Sequence, residues 1–167
     1  MFDIETLGTG VDTAPMLSLG AMRFDLETQK LGDSKVWYFH PDVPGRQLDY
    51  NTLKWWSEQE AGLFRTTLAR SMATKVDNIG LTLANFTAWC GENATLWAAP
   101  LVFDWSILSS YLNQYRIVSN NVSRRRIIDC RSYMLGKGKD FKRVSFEGMV
   151  AHSPVDDCKS QILGLFA

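Results

Sequence analysis

The apolar positions along the chain change their spacing between its first forty residues and the remainder. Residues 16–25 (Met-Leu-Ser-Leu-Gly-Ala-Met-Arg-Phe-Asp) form a dense apolar run with partial alternation, the pattern of a well-buried strand. Leu31-Gly32-Asp33 reads as a turn, and residues 35–39 as the next strand. With the opening residues, these segments predict three consecutive strands at the front of a sheet. Helical spacing follows. Asp49 or Asn51 is placed to cap a short helix over residues 52–56. From Asp77 or Asn78, the positions Ile79, Leu83, Phe86 and Trp89-Cys90 recur at helical intervals and end at Gly91. Residues 95–99 fit a short buried strand. Asp104 is expected to open a helix with Ile107, Leu108, Tyr111 and Leu112 on one side. Residues 126–129 read as a last strand followed by helix, and a final helix starts near Pro154 or Val155. Strands first, then helix and strand in alternation, predict an α/β fold: a mixed sheet flanked by helices.

The chain has 167 residues, enough for one domain, and a single domain over residues 1–167 is expected. Its 46% hydrophobic and 22% charged residues match a soluble globular protein. No apolar run approaches the roughly 20 residues of a membrane span, and the opening Met1-Phe2-Asp3-Ile4-Glu5 lacks the basic-then-apolar pattern of a signal peptide. Cys90, Cys130 and Cys158 are an odd number without metal-site spacing, so free thiols in a reducing, cytoplasmic setting are expected. The net charge of zero hides an uneven distribution. Residues 124–143 hold eight basic side chains (Arg124, Arg125, Arg126, Arg131, Lys137, Lys139, Lys142 and Arg143) against Asp129 and Asp140, a local +6 balanced by −6 elsewhere. Alone, such a run is usually a solvated surface; beside a phosphate-handling site it gains meaning.

Three acidic segments carry the candidate chemistry. In Asp3-Ile4-Glu5-Thr6-Leu7-Gly8, residues two apart on a strand share a face, so Asp3 and Glu5 project together while Ile4 faces the core. Adjacent buried carboxylates repel unless they share a cation, although a lone D-x-E is weak evidence. Asp104 follows Phe103 at a helix start, where an Asp serves as an N-cap or points at a sheet edge. His152-Ser153-Pro154-Val155-Asp156-Asp157 places a histidine just before a helix with two acids in its first turns.

The order D-x-E, F-D near a helix start and H-x4-D resembles the DEDDh exonucleases of the ribonuclease-H-like superfamily. Asp3 and Glu5 match the first family motif, Asp104 the second, and His152 with Asp157 the third. Thr52-Leu53-Lys54-Trp55-Trp56-Ser57-Glu58-Gln59, Trp97 and Asp129-Cys130-Arg131 are similar to the branch holding phage exonuclease A and bacterial 3′-5′ exoribonuclease-like proteins. The resemblance implies a ribonuclease-H-like sheet and a phosphodiester hydrolase in a bacterial or phage-infected cytoplasm. Two features depart from the family. Only Met1 and Phe2 precede Asp3, which suggests a shortened chain, and Ala98-Ala99-Pro100 stands where glycine is frequent.

The same resemblance assigns roles. Asp3, Glu5, Asp104 and Asp157 would hold two divalent cations, Mg²⁺ or Mn²⁺, roughly 3.5–4 Å apart. Asp3 is expected to bridge them, Glu5 and Asp157 to serve one ion, and Asp104 to reach the other mostly through water. His152 is the expected general base, since imidazole exchanges protons near neutral pH. The five-residue step from His152 selects Asp157 over Asp156, and His40 is read as structural. Thr6, Leu7, Gly8, Trp56, Phe103 and His152 are the expected substrate contacts, with Gly8 admitting a close backbone approach, Leu7 against the last bases and Trp56 as a stacking ring. The implied partner is single-stranded nucleic acid with a free 3′ end, DNA favoured, released as nucleoside 5′-monophosphates. Three other readings stay open: an exoribonuclease trimming RNA tails or short oligonucleotides, a non-catalytic nucleic-acid-binding module, and a ribonuclease H or integrase-like endonuclease.

Overall fold

A computed structural model describes residues 1–60 and 62–167. Strands β1 (Phe2–Thr6), β2 (Met16–Asp25) and β3 (Lys30–Tyr38) form an antiparallel sheet in that order. Helices α1 (Tyr50–Ser57), α2 (Leu63–Met72) and α3 (Ile79–Cys90) come next. Strand β4 (Leu96–Ala98) lies beside β1 and pairs in parallel with β5 (Ile127–Asp129), with α4 (Leu101–Gln114) as the crossover. Helices α5 (Cys130–Gly136) and α6 (Pro154–Phe166) complete the chain, giving mixed sheet pairing with helices on both sides. Among the described residues no helix is long and apolar enough to cross a membrane.

The strand period separates the two larger of three core clusters. Phe2 and Ile4 of β1 join Leu19, Trp37, Phe86, Ile107 and Tyr111 on the side covered by α3 and α4. Met1 and Met22 instead meet Met134 of α5 and Cys158, Ile162 and Leu165 of α6. Each fully buried aliphatic side chain of this kind contributes about 1.5–3 kcal/mol. The three thiols are free; burial pushes Cys90 up to about 11 and Cys130 up to about 12, so neither forms thiolate at neutral pH.

Two sequence expectations need correction, and a third is narrowed to one of its alternatives. The β2–β3 turn falls at residues 26–29, where the Asp25 carboxylate accepts the Thr28 amide at 2.8 Å and Gln29 adopts φ +53°; Gly32 lies within β3. Of the two proposed caps for α1, Asp49 serves, its Oδ1 accepting the amides of Asn51 and Thr52. Asp104 does not open a helix: α4 begins three residues earlier, after Pro100, with the amide of Leu101 donated to Asp129 Oδ2 at 2.9 Å. Helix α2, which the apolar pattern did not announce, closes over Leu7, Leu17 and Trp56 with Leu63, Phe64 and Leu68.

Candidate active site

Alternation on β1 turns Asp3 and Glu5 away from the Phe2–Ile4 side of the core and toward α6. That helix is pressed onto β2 at Gly20, the residue paired with Asp3 in the antiparallel register. A Cβ at Gly20 would stand 2.6 Å from the carbonyl carbon of Pro154, so glycine there allows the first turn of α6 to approach the sheet. Asp157 and Gln161, four residues apart on α6, thereby share the face that meets β1. Gln161 Nε2 donates to Asp3 Oδ1 at 2.8 Å. Asp104 enters from α4, its Oδ1 accepting the Ile4 amide between the two β1 acids at 3.0 Å. All four carboxylates are buried.

His152 precedes α6 with φ +63°, a left-handed conformation that costs a non-glycine residue energy and that clusters at functional sites. Its amide donates to Asp157 Oδ2 at 3.0 Å, and its ring meets Trp55 edge to face at 4.7 Å. Glu5, His152 and Asp157 each bring one potential ligand atom within 4.8 Å of the others. Asp3 and Asp104 are tied to the centre by Gln161 and by the Ile4 amide. Arg143, from the segment before α6, donates from Nη1 to Asp157 Oδ1 at 3.0 Å and places Nη2 3.6 Å from Asp3 Oδ1.

Burial governs the charge state of this cluster. Removal from water raises Asp3 well above the ordinary carboxylate range, and the neighbouring Asp104 and Asp157 raise it further. Glu5 is raised by burial and then by Asp3. Burial pushes Asp104 up to about 7 against the pull of the Ile4 amide. Asp157 is raised by burial, with Arg143 the largest opposing influence. Four acids whose ionised forms are disfavoured at one point form an arrangement that an added cation would stabilise.

The substrate contacts expected from sequence separate into two groups. Thr6 and Phe103 line a cleft of about 480 Å³ beside Glu5. Leu7 is buried against Leu17 and Trp56, so its side chain serves the core. A Cβ at Gly8 would stand 3.4 Å from Ala14, ordinary contact distance. Trp56 is 1% exposed, stacked on Phe64, and donates its indole N–H to the Thr6 carbonyl at 2.9 Å. The tryptophan that opens onto the cleft is Trp55, 39% exposed and in contact with His152. Sequence reasoning also missed Gln161, whose position four residues after Asp157 was the available signal, and the turning of Arg143 inward from the basic run. Asp156 bonds the Val150 amide at 3.1 Å and His40 the Asp42 amide, local structural duties for both.

The family described as the 3′-5′ exoribonuclease Rv2179c-like domain matches residues 1–164. No curated protein matches in sequence. The chain is similar in structure to E. coli exonuclease I in complex with a dT13 oligonucleotide, with a TM-score of 0.66 and 13% identity over 97% of this chain and 39% of that one. It is similar also to exonuclease I from Methylocaldum szegediense (TM-score 0.67, 12% identity, 98% and 39% covered). The zinc-bound E. coli exonuclease I complex with single-stranded DNA gives 0.64 at 12% identity, with 99% and 38% covered. At such identities the likeness is one of fold, and the chain spans about two-fifths of the length of those proteins. With the match extending over nearly its whole length, the chain belongs to the 3′-5′ exoribonuclease Rv2179c-like domain family.

Proposed function

We propose that the protein is a metal-dependent 3′-5′ exonuclease that shortens single-stranded nucleic acid and releases nucleoside 5′-monophosphates. The observation that carries this reading is the meeting of four buried carboxylates from β1, α4 and α6 with His152 beside them. The donor set suits Mg²⁺ or Mn²⁺, hard cations that prefer carboxylate oxygen. Glu5 and Asp157 converge, and Asp3 and Asp104 would supply the remaining oxygens for two ions. When bound, such cations neutralise phosphate charge and stabilise the attacking and departing oxygens.

The protein's own groups supply position and proton transfer. His152, held by its amide on Asp157 and by the Trp55 ring, takes the proton of the attacking water. The new bond forms between that water's oxygen and the last phosphorus, and the bond from phosphorus to the penultimate 3′ oxygen breaks. The terminal nucleotide thus leaves with its 5′-phosphate, and the shortened strand keeps a 3′ hydroxyl. Trp55, Thr6, Thr9 and Phe103 frame the cleft that receives the terminal nucleotide, with Trp55 offering a ring for base stacking.

The sequence favoured DNA, and the E. coli exonuclease I complexes of the same fold hold DNA; the description of the family to which the chain belongs names RNA. Family membership carries more weight than fold, so RNA is the preferred substrate in this proposal. Matched RNA and DNA strands labelled at the 5′ end test it. The expected result is a descending ladder with Mn²⁺, faster on RNA, and none with chelator. Undegraded strands of both kinds would contradict the activity, and faster DNA loss would return the substrate to DNA.

A further inference from the structure

Among the described residues the only ion pairs are the two that Arg143 makes, both inside the acidic centre. Eighteen Lys and Arg side chains are available in the chain, so the choice of this one calls for an explanation. Its backbone is fixed from both sides by α6. The Val144 amide donates to the Ser160 carbonyl at 3.2 Å, and the Lys142 carbonyl rests directly on Gly164, where any Cβ would collide with it. A hydrogen bond from Nη2 to the Ala99 carbonyl at 3.1 Å orients the guanidinium across Asp3 and Asp157. The side chain is nevertheless 41% exposed, with an open path back to solvent.

The geometry points to Arg143 as a built-in counter-cation of the acidic centre: it holds Asp3 and Asp157 when no divalent cation is bound and yields them when one binds. Asp3 and Asp157 belong to different elements, β1 and α6, and one guanidinium bridges the two carboxylates beside the Gln161 hydrogen bond to Asp3. A fork of fixed N–H groups suits two carboxylates. A divalent ion gathering several of the same carboxylates competes for the same oxygens and repels the guanidinium. A pair this exposed shifts an equilibrium by about fivefold or less, strong enough to order the empty centre and weak enough to be displaced. Arg143 is thus a positioning residue, acting through Asp3 and Asp157.

This inference rests on the metal-binding reading above, and one titration separates the two. Metal-stripped full-length protein, Arg143→Gln and Arg143→Lys are titrated with Mn²⁺ by calorimetry, and each is melted with and without the ion. Arg143→Gln should bind Mn²⁺ about fivefold more tightly than the parent. Its melting temperature should be lower without the ion and equal to the parent's at saturation. Arg143→Lys, which keeps the charge and loses the fork, should lie between. Unchanged or weaker Mn²⁺ affinity in Arg143→Gln overturns the counter-cation role while leaving the metal site standing. Absence of Mn²⁺ binding in both parent and Arg143→Gln overturns both.

Discussion

Asp104 shows most clearly what burial does to a single side chain in this protein. Its folded-state pKa of about 7 lies above the ordinary 3.8, so the protonated form is favoured by folding. That contribution is complete below the ordinary value and is lost as pH rises through about 7. Without divalent cation, the melting temperature should therefore fall between about pH 4 and pH 7. Asp104→Asn keeps an acceptor for the Ile4 amide and removes the charge, so it should flatten that fall while abolishing turnover. A melting temperature that climbs steadily to pH 8 in parent and variant alike contradicts the account. His152 should behave differently. His152→Ala should slow hydrolysis about 10²–10⁴-fold with Mn²⁺ affinity retained by calorimetry; equal loss of both would make it a ligand. The four acids and His152 were legible in the sequence because motif spacing reflects alternation on a strand and the first turns of a helix. Trp55 and Trp56 are adjacent and chemically identical, so only packing against Phe64 and Thr6 decides which is buried.

At the scale of elements, the seating of α6 on the sheet decides whether the site exists. The close approach at Gly20 brings Asp157 and Gln161 to Asp3 and sets His152 beside Asp157. Gly20→Ala should cost about 1–3 kcal/mol by overpacking and depress turnover beyond what the lost stability explains, as read by urea denaturation and by rate at a permissive temperature. Gly136→Ala is the control: a Cβ there meets nothing, and helix propensity favours alanine, so stability should hold or rise by up to about 1 kcal/mol with activity intact. Equal effects of the two substitutions would remove the argument for α6. Strand β2 was readable because every buried position except Ser18 is apolar or glycine. Helix α2 was not, since Thr67 and Ser71 occupy buried positions on its inner face, where Ser71 Oγ donates to the Leu17 carbonyl, and the polar residues break the apolar period. The turn was misplaced because Leu31-Gly32-Asp33 has turn composition, whereas the working turn depends on an Asp25 carboxylate and a left-handed Gln29.

Across the whole molecule, the basic run counted as one strip in the sequence is divided by the fold. Lys139 reaches the Ala167 carbonyl at the far end of α6, Lys137 lies over Tyr133, Arg126 holds Asn93, and Arg143 enters the acidic centre. Helix α6 runs 13 residues from Pro154, so about 15 Å along its axis separates Asp157 from the end at Ala167 that Lys139 contacts. Linear charge density therefore said little about the substrate path, while the order of the acidic motifs said a great deal about the fold. What belongs to the molecule as a whole is the proposed demand for a strand end, because the cleft beside Glu5 is proposed to seat a terminal nucleotide. The most direct measurement compares a 5′-labelled linear single strand with the same sequence closed into a circle, both incubated with the protein and Mn²⁺. The linear strand should shorten from its 3′ end as a descending ladder and the circle should persist, with Asp104→Asn inert on both. Rapid cutting of the circle by the parent protein would contradict the account, because a circle offers no 3′ end to seat.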